Sequence, residues 1–149
     1  MTRLADAHVV VTGGSLGIGL ATAQACARRG ARVSLIGRDA ERLAEARRQL
    51  PEGTVTAAAD VTDMAALEAA ITQLVDARGP CDILVASAGR AEPGYFLDLD
   101  ADVFARQVEV NYLGVVHAVR AVLPAMVARG RGHLVLVSSL AGLLGVLGY

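Results

Sequence analysis

Lysine and tryptophan are absent from this chain, and aromatic residues make up only 3% of it. All 14 basic residues are arginines, set against 15 acidic residues for a net charge of −1. That balance offers no basic field to hold a nucleic-acid backbone or an anionic lipid surface, although it allows a local anion site. Without lysine the chain cannot carry the GxxxxGK[ST] loop of nucleoside-triphosphate enzymes, which sets kinase and ATPase chemistry aside. Cysteine is scarce too. Cys26 and Cys81 stand 55 residues apart in apolar surroundings and without metal-ligand spacing. They read as two buried free thiols in a reducing compartment. His8, His117 and His133 are scattered and read as structural, so no metal site is expected.

Long apolar runs are also few. The opening AHVVV is too short for a signal region or a membrane span. The closing LVLVSSLAGLLGVLGY is 16 uncharged residues, interrupted by two serines and three glycines, and reads as a buried strand with its following loop. No membrane span is expected, and the lack of targeting features leads to an expected cytoplasmic location.

What remains is a chain of 149 residues that is 54% hydrophobic and holds 16 glycines. Such a chain is long enough for one domain with a core built from Ala, Val, Leu and Ile. Apolar strands alternate with helical patterns. HVVVT, ARVSLIG, TVTAAAD, CDILVASAG and GRGHLVLVSS read as five strands. Asp39 and Asp63 are placed to cap the second and third helices. A short helix near 101–109 and a longer one near 112–129 are expected, with Pro124 kinking or restarting the latter. Strands joined by helices through short turns imply parallel strands with right-handed crossovers. The fold class is α/β, a doubly wound, mostly parallel Rossmann sheet over residues 1–149, incomplete at its C-terminal side. Such sheets bind ligands at the carboxyl ends of their strands.

The unusual residues fall on that edge. TGGSLGIG, residues 12–19, joins the first strand to the first helix. Gly13 permits the turn, Gly17 permits close approach of a pyrophosphate, and Gly19 lets the helix pack on the strand. Ser15, Leu16 and Ile18 complete the loop, whose free amides face an anion. A dinucleotide site follows from this spacing in this strand-turn-helix setting. The second strand ends in Gly37 and then Arg38, where an NAD site would carry a carboxylate for the ribose hydroxyls. Arg38 instead suits a ribose phosphate, so NADP (NADPH) is favoured over NAD. Asp60 and the Val61 amide could face the adenine, or Asp60 could cap a turn. Ser87, Ala88 and Gly89 end the fourth strand, where small residues let the cofactor pass.

Together these segments resemble the short-chain dehydrogenase/reductase family along the whole chain. TGGSLGIG matches its TGxxxGIG loop, Asp60–Val61 its adenine contact, and SAG its NAG element with Ser87 in place of asparagine. The resemblance implies that Asn111 is the active-site asparagine, able to hold a helix distortion and support a proton relay, and that Ser139 is the catalytic serine. AHVVVTGGSLGIG, NYLG and SSLAGLLGVLGY look most like the 3-ketodihydrosphingosine reductases within that family, which implies NADPH-dependent reduction of a hydrophobic ketone. A 3-oxoacyl thioester is the alternative substrate, and a nonenzymatic dinucleotide-binding module is the reading if the chain ends at Tyr149. Homodimers or homotetramers are common in the family, and Val115, Val119, Val122 and Met126 form a helical stripe that could serve an interface or cover the sheet.

The resemblance also implies a proton-donating tyrosine thirteen residues after the serine, with a lysine one helical turn further on, at positions 152 and 156. Tyr149 follows Ser139 by ten residues and has no lysine partner. It is expected to line the substrate opening or fill an apolar position. The chain is therefore expected to be the N-terminal, cofactor-binding part of a longer enzyme, inactive by itself.

Overall fold

The computed structural model describes residues 3–145 and 147, so the expectation for Tyr149 lies outside the described residues. Strands β1 (His8–Thr12), β2 (Arg32–Gly37), β3 (Val55–Ala58), β4 (Ile83–Ala86) and β5 (His133–Leu136) form one sheet in the order β3-β2-β1-β4-β5. Every pair is parallel, with Thr12 in register with Ile36 on one side and Ala86 on the other. Helices α1 (Gly17–Ala27), α2 (Ala40–Arg48), α3 (Met64–Arg78), α4 (Ala101–Val108) and α5 (Gly114–Ala128) supply the crossovers. The strand order reverses beside β1, which opens a crevice between the β1 and β4 loops.

Alternate residues of the central strands point to opposite faces, and both faces are apolar. Val10, Ile36 and Leu84 join Leu67 and Leu74 of α3 and Ala118, Val122 and Met126 of α5 in one core. Val9, Val11, Val33, Leu35 and Val85 join Ala23, Leu43 and Ala46 of α1 and α2 in the other. This double burial explains why the strands read as continuous apolar runs. The two edge strands are covered less: β3 leaves Ala58 exposed, and β5 leaves Val135 and Leu136 exposed. The stripe on α5 is settled by the same packing, since Val122 and Met126 are buried in the sheet core and Val119 packs against it. Through these three residues the stripe covers the sheet, and Val115 is half-buried outside that core.

The caps form as the spacing requires. Asp39 Oδ1 accepts from the amides of Glu41 and Arg42 at 3.0 Å, and Asp63 Oδ1 accepts from Ala66 N at 3.0 Å. The two late helices differ from expectation. They join into one helical run, Ala101–Ala128, through a π-helical turn at Glu109–Leu113. Pro124 stays inside α5 without ending it. The carbonyl that loses its partner belongs to exposed Arg120, where water can satisfy it. By length and composition alone, Ala101–Ala128 could cross a membrane. Its α5 half contributes Ala118, Val122 and Met126 to the core beneath the sheet, while only 22% of its most apolar stretch is buried.

His8 is fully buried, with Nδ1 2.7 Å from the Gly79 carbonyl and Nε2 2.8 Å from Ser34 Oγ. It ties β1 to β2 and to the turn before β4, and burial lowers its pKa. Both thiols are free, but only Cys81 is buried; Cys26 is half-exposed. Burial pushes the Cys81 thiol up to about 11. His133 lies on the exposed edge strand.

Candidate active site

The β1–α1 turn is shaped by glycines in two distinct ways. Gly13 has φ +67°, and a Cβ there would lie 2.7 Å from the backbone of Ala88. At Gly19 a Cβ would meet the Gly13 carbonyl oxygen at 2.2 Å, so helix and turn touch with no room for a side chain. Gly17 is the opposite case. It has φ +55° and nothing within 4 Å of a Cβ position, leaving its backbone open to a ligand. Helix α1 begins after Leu16 with no side-chain cap and no acidic residue in its first turn, so its amides face outward unpartnered by a carboxylate. An anion such as a pyrophosphate fits this cradle.

The turn is the floor of a cleft of about 270 Å³ at the carboxyl edge of the sheet. Gly13, Ser15, Leu16, Gly17, Ile18 and Gly19 line it together with Arg38, Asp60, Val61, Ser87, Ala88 and Gly89. Every residue expected to touch a cofactor therefore reaches one cavity, although the segments are far apart in sequence. Larger hollows of about 510 and 480 Å³ lie at the end of α2 and under the amino edge of the sheet, away from these residues.

Ser87 substitutes for asparagine without leaving the strand ends loose. Its Oγ donates to the Thr12 carbonyl at 2.7 Å, and its own amide donates to the same oxygen at 3.2 Å. The Ala88 amide leans toward Thr12 Oγ1 at 3.5 Å. β1 and β4 are thus joined just below the glycine turn.

At the other end of the cleft, Asp60 Oδ1 accepts from the amide and hydroxyl of Thr62 at 2.9 and 2.8 Å. Its Oδ2 lies 3.7 Å from Arg38 Nη1. Asp60 therefore holds its own turn, one of the two roles considered from sequence, and also lines the cleft. Two residues that sequence reasoning missed also line this end, Asp39 and Arg42. Arg42 lies in the first turn of α2, just after the Arg38 bend, and lines the same cleft. Asp39 Oδ2 is 3.2 Å from Arg42 Nε.

Asn111 and Ser139 do not line the cleft. Asn111 sits within the π turn, with Oδ1 accepting from Arg90 N and Nδ2 donating to Arg90 O, both at 2.8 Å. Oδ1 also stands 3.4 Å from the Cβ position of Gly89, beside the cleft. The expected helix distortion is present, and π turns of this kind occur often at functional sites. The neighbouring Val110 lines the cleft and was missed. Ser139 follows β5 at the same carboxyl edge. Its Oγ accepts from Ala141 N at 3.1 Å, which leaves the hydroxyl hydrogen for another acceptor.

A parallel sheet in this order, with a glycine turn at the point of reversal and a cleft above it, defines a nucleotide-binding α/β domain. The short chain dehydrogenase family profile matches residues 7–149, and the chain belongs to that family. It is 39% identical to the 3-dehydrosphinganine reductase of Danio rerio, covering 99% of this chain and 47% of that protein. It is 40% identical to the 3-ketodihydrosphingosine reductase of Bos taurus, covering 98% and 46% respectively. Among solved structures, a variant of actinorhodin polyketide ketoreductase with NADPH superposes with a TM-score of 0.91 at 32% identity, over 99% of this chain and 59% of that one. Serine dehydrogenase from Escherichia coli superposes with a TM-score of 0.87 at 32% identity, over 95% and 66%. The chain spans about half the length of the curated relatives it matches.

Proposed function

We propose that this chain is the cofactor-holding part of an NADPH-dependent reductase of hydrophobic ketones, with a 3-keto-sphingoid base as the substrate class. The observation that carries the cofactor choice is the state of the carboxylates beside the ribose end of the cleft. Asp39 lines that end and would be the natural partner for two ribose hydroxyls in an NAD site. Both its oxygens are engaged, one by the first amides of α2 and the other by Arg42. Arg38 and Arg42 then offer two guanidiniums to a ribose phosphate, a planar and strongly charge-assisted match.

In this reading the glycine turn and the open start of α1 hold the pyrophosphate, Arg38 and Arg42 the added phosphate, and Asp60 with the Val61 amide the adenine. When bound, the reduced nicotinamide supplies a hydride to the carbonyl carbon. Ser139 donates its hydroxyl hydrogen to the carbonyl oxygen and holds its orientation while negative charge develops there. Asn111 fixes the π turn and the Arg90 segment that borders the reacting end. The proton for the alkoxide is assigned to the family's tyrosine, numbered beyond Tyr149. The sphingoid choice draws on similarity to the 3-dehydrosphinganine and 3-ketodihydrosphingosine reductases, and on the apolar LLGVLG sequence that follows Ser139 in the chain.

Titration of the chain with NADPH and NADH by intrinsic cofactor fluorescence tests the first half, with NADPH expected to bind at least about tenfold tighter. Equal affinities would reject the phosphate assignment. Turnover of 3-ketodihydrosphingosine and of acetoacetyl thioester by the full-length gene product tests the second half. Rapid thioester turnover with none of the sphingoid ketone would move the substrate class to 3-oxoacyl thioesters.

A further inference from the structure

The segment that carries Asp60 and Val61 has its shape fixed from within. Asp60 accepts twice from Thr62, and Asp63 accepts from Ala66 as the cap of α3. What these bonds leave open is how deep the segment sits against the rest of the cleft. Ala59 N donates to the Gly37 carbonyl on the β2 side, and on the α5 side the depth is set at Val61. Val61 is 5% exposed, and its Cγ2 lies 2.6 Å from the Cβ position of Gly114, so only a glycine allows helix and loop to meet so closely. On the other side the Val61 carbonyl is 2.9 Å from His117 Nδ1. A carbonyl can only accept, so the hydrogen is on Nδ1 of the ring.

Gly114 and His117 both belong to α5, in the helical run that holds Asn111 and Val110. Val110 lines the cleft together with Val61. One side-chain hydrogen bond thus spans from the helix of the candidate catalytic asparagine to the proposed adenine wall. Docking of α5 does not depend on it, because Ala118, Val122 and Met126 already bury that helix in the core.

We propose that His117 is a positioning residue that sets the adenine-side wall of the cleft against the Asn111 helix, and thereby tunes dinucleotide affinity. This rests on the cofactor reading above. His117 touches no ligand itself; it acts through Val61.

The test uses the purified chain, its His117→Phe and His117→Gln variants, and adenosine 2′,5′-bisphosphate as the probe in calorimetric titration. The phenylalanine variant, which fills the space without a donor, is expected to bind about three- to tenfold more weakly. Glutamine can donate to the same carbonyl and is expected to restore affinity to within about twofold. Hydrogen exchange of the 59–62 amides should rise in the phenylalanine variant and return with glutamine. If the phenylalanine variant does not fold, His117→Asn, whose shorter amide falls short of Val61, takes its place against His117→Gln. Native affinity in the donor-less variant overturns the role, as does weakened binding that glutamine fails to rescue. No binding by the native chain overturns the cofactor reading itself, a result distinct from either.

Discussion

Ser87 Oγ and the Thr12 carbonyl meet at 2.7 Å, although 75 residues separate them in the chain. That bond joins the ends of β1 and β4 under the turn that is proposed to carry the pyrophosphate. Because the Ser87 amide also reaches the same oxygen, Ser87→Ala leaves Thr12 partly satisfied. It is expected to cost about 1 kcal/mol, seen as a lower urea midpoint with an unchanged slope. A loss above about 3 kcal/mol would mean that the hydroxyl serves more than this one acceptor.

Gly19 is the position least able to change. A methyl group there would lie 2.2 Å from the Gly13 carbonyl and 2.6 Å from Ser87 Oγ. Neither the turn nor the helix start can yield without moving the cradle. Gly19→Ala is expected to destabilise the fold by about 1–3 kcal/mol and to abolish measurable NADPH binding. Gly142→Ala, where nothing lies within 4 Å, is the matched control and should leave the melting temperature unchanged.

In the proposed reading, Arg42 separates the two cofactors by charge. Arg42→Ala removes one of the two guanidiniums at the ribose end and also frees an Asp39 oxygen toward the cleft. Both effects act in one direction. NADPH affinity should fall about tenfold while NADH affinity holds or rises, measured by parallel titration. An equal loss for both cofactors would assign Arg42 to helix stability alone.

His8 predicts an acid weakness in the fold. Its pKa is lowered in the folded state, chiefly by burial and further by the nearby Arg32 and Arg78 charges, despite the opposing influence of Gly79 and Asp82. The unfolded chain therefore takes up this proton first. The stability tied to the neutral ring is fully present above the ordinary value of 6.5 and is lost as pH falls through it toward the folded value. The urea midpoint of the native chain should drop more steeply between about pH 7.5 and 5.5 than that of His8→Gln. Parallel pH profiles would show that His8 is not the titrating group.

Local chemistry was enough to read much of this architecture in advance. Apolar runs broken by glycine turns, and Asp39 and Asp63 ahead of their helices, depend on neighbours a few residues away, so the five strands and the first three helices were legible. The glycine spacing of residues 12–19 likewise carries its meaning locally, as a backbone that must turn, open and pack within eight residues. The late helices were harder, because whether Pro124 breaks a helix depends on what meets the freed Arg120 carbonyl. Pattern alone could not distinguish an α5 stripe facing the sheet from one facing a partner; the burial of Val122 and Met126 decided it.

By itself, then, the sequence determined the parallel layout and the glycine cradle, since both arise from short-range sterics and hydrophobic period. Only the tertiary structure decided the company each side chain keeps. Packing put Ser87 on Thr12, engaged Asn111 with Arg90, and set His117 against Val61. These pairings join segments whose approach depends on how the helices stack on the sheet, and no short stretch of sequence encodes that distance.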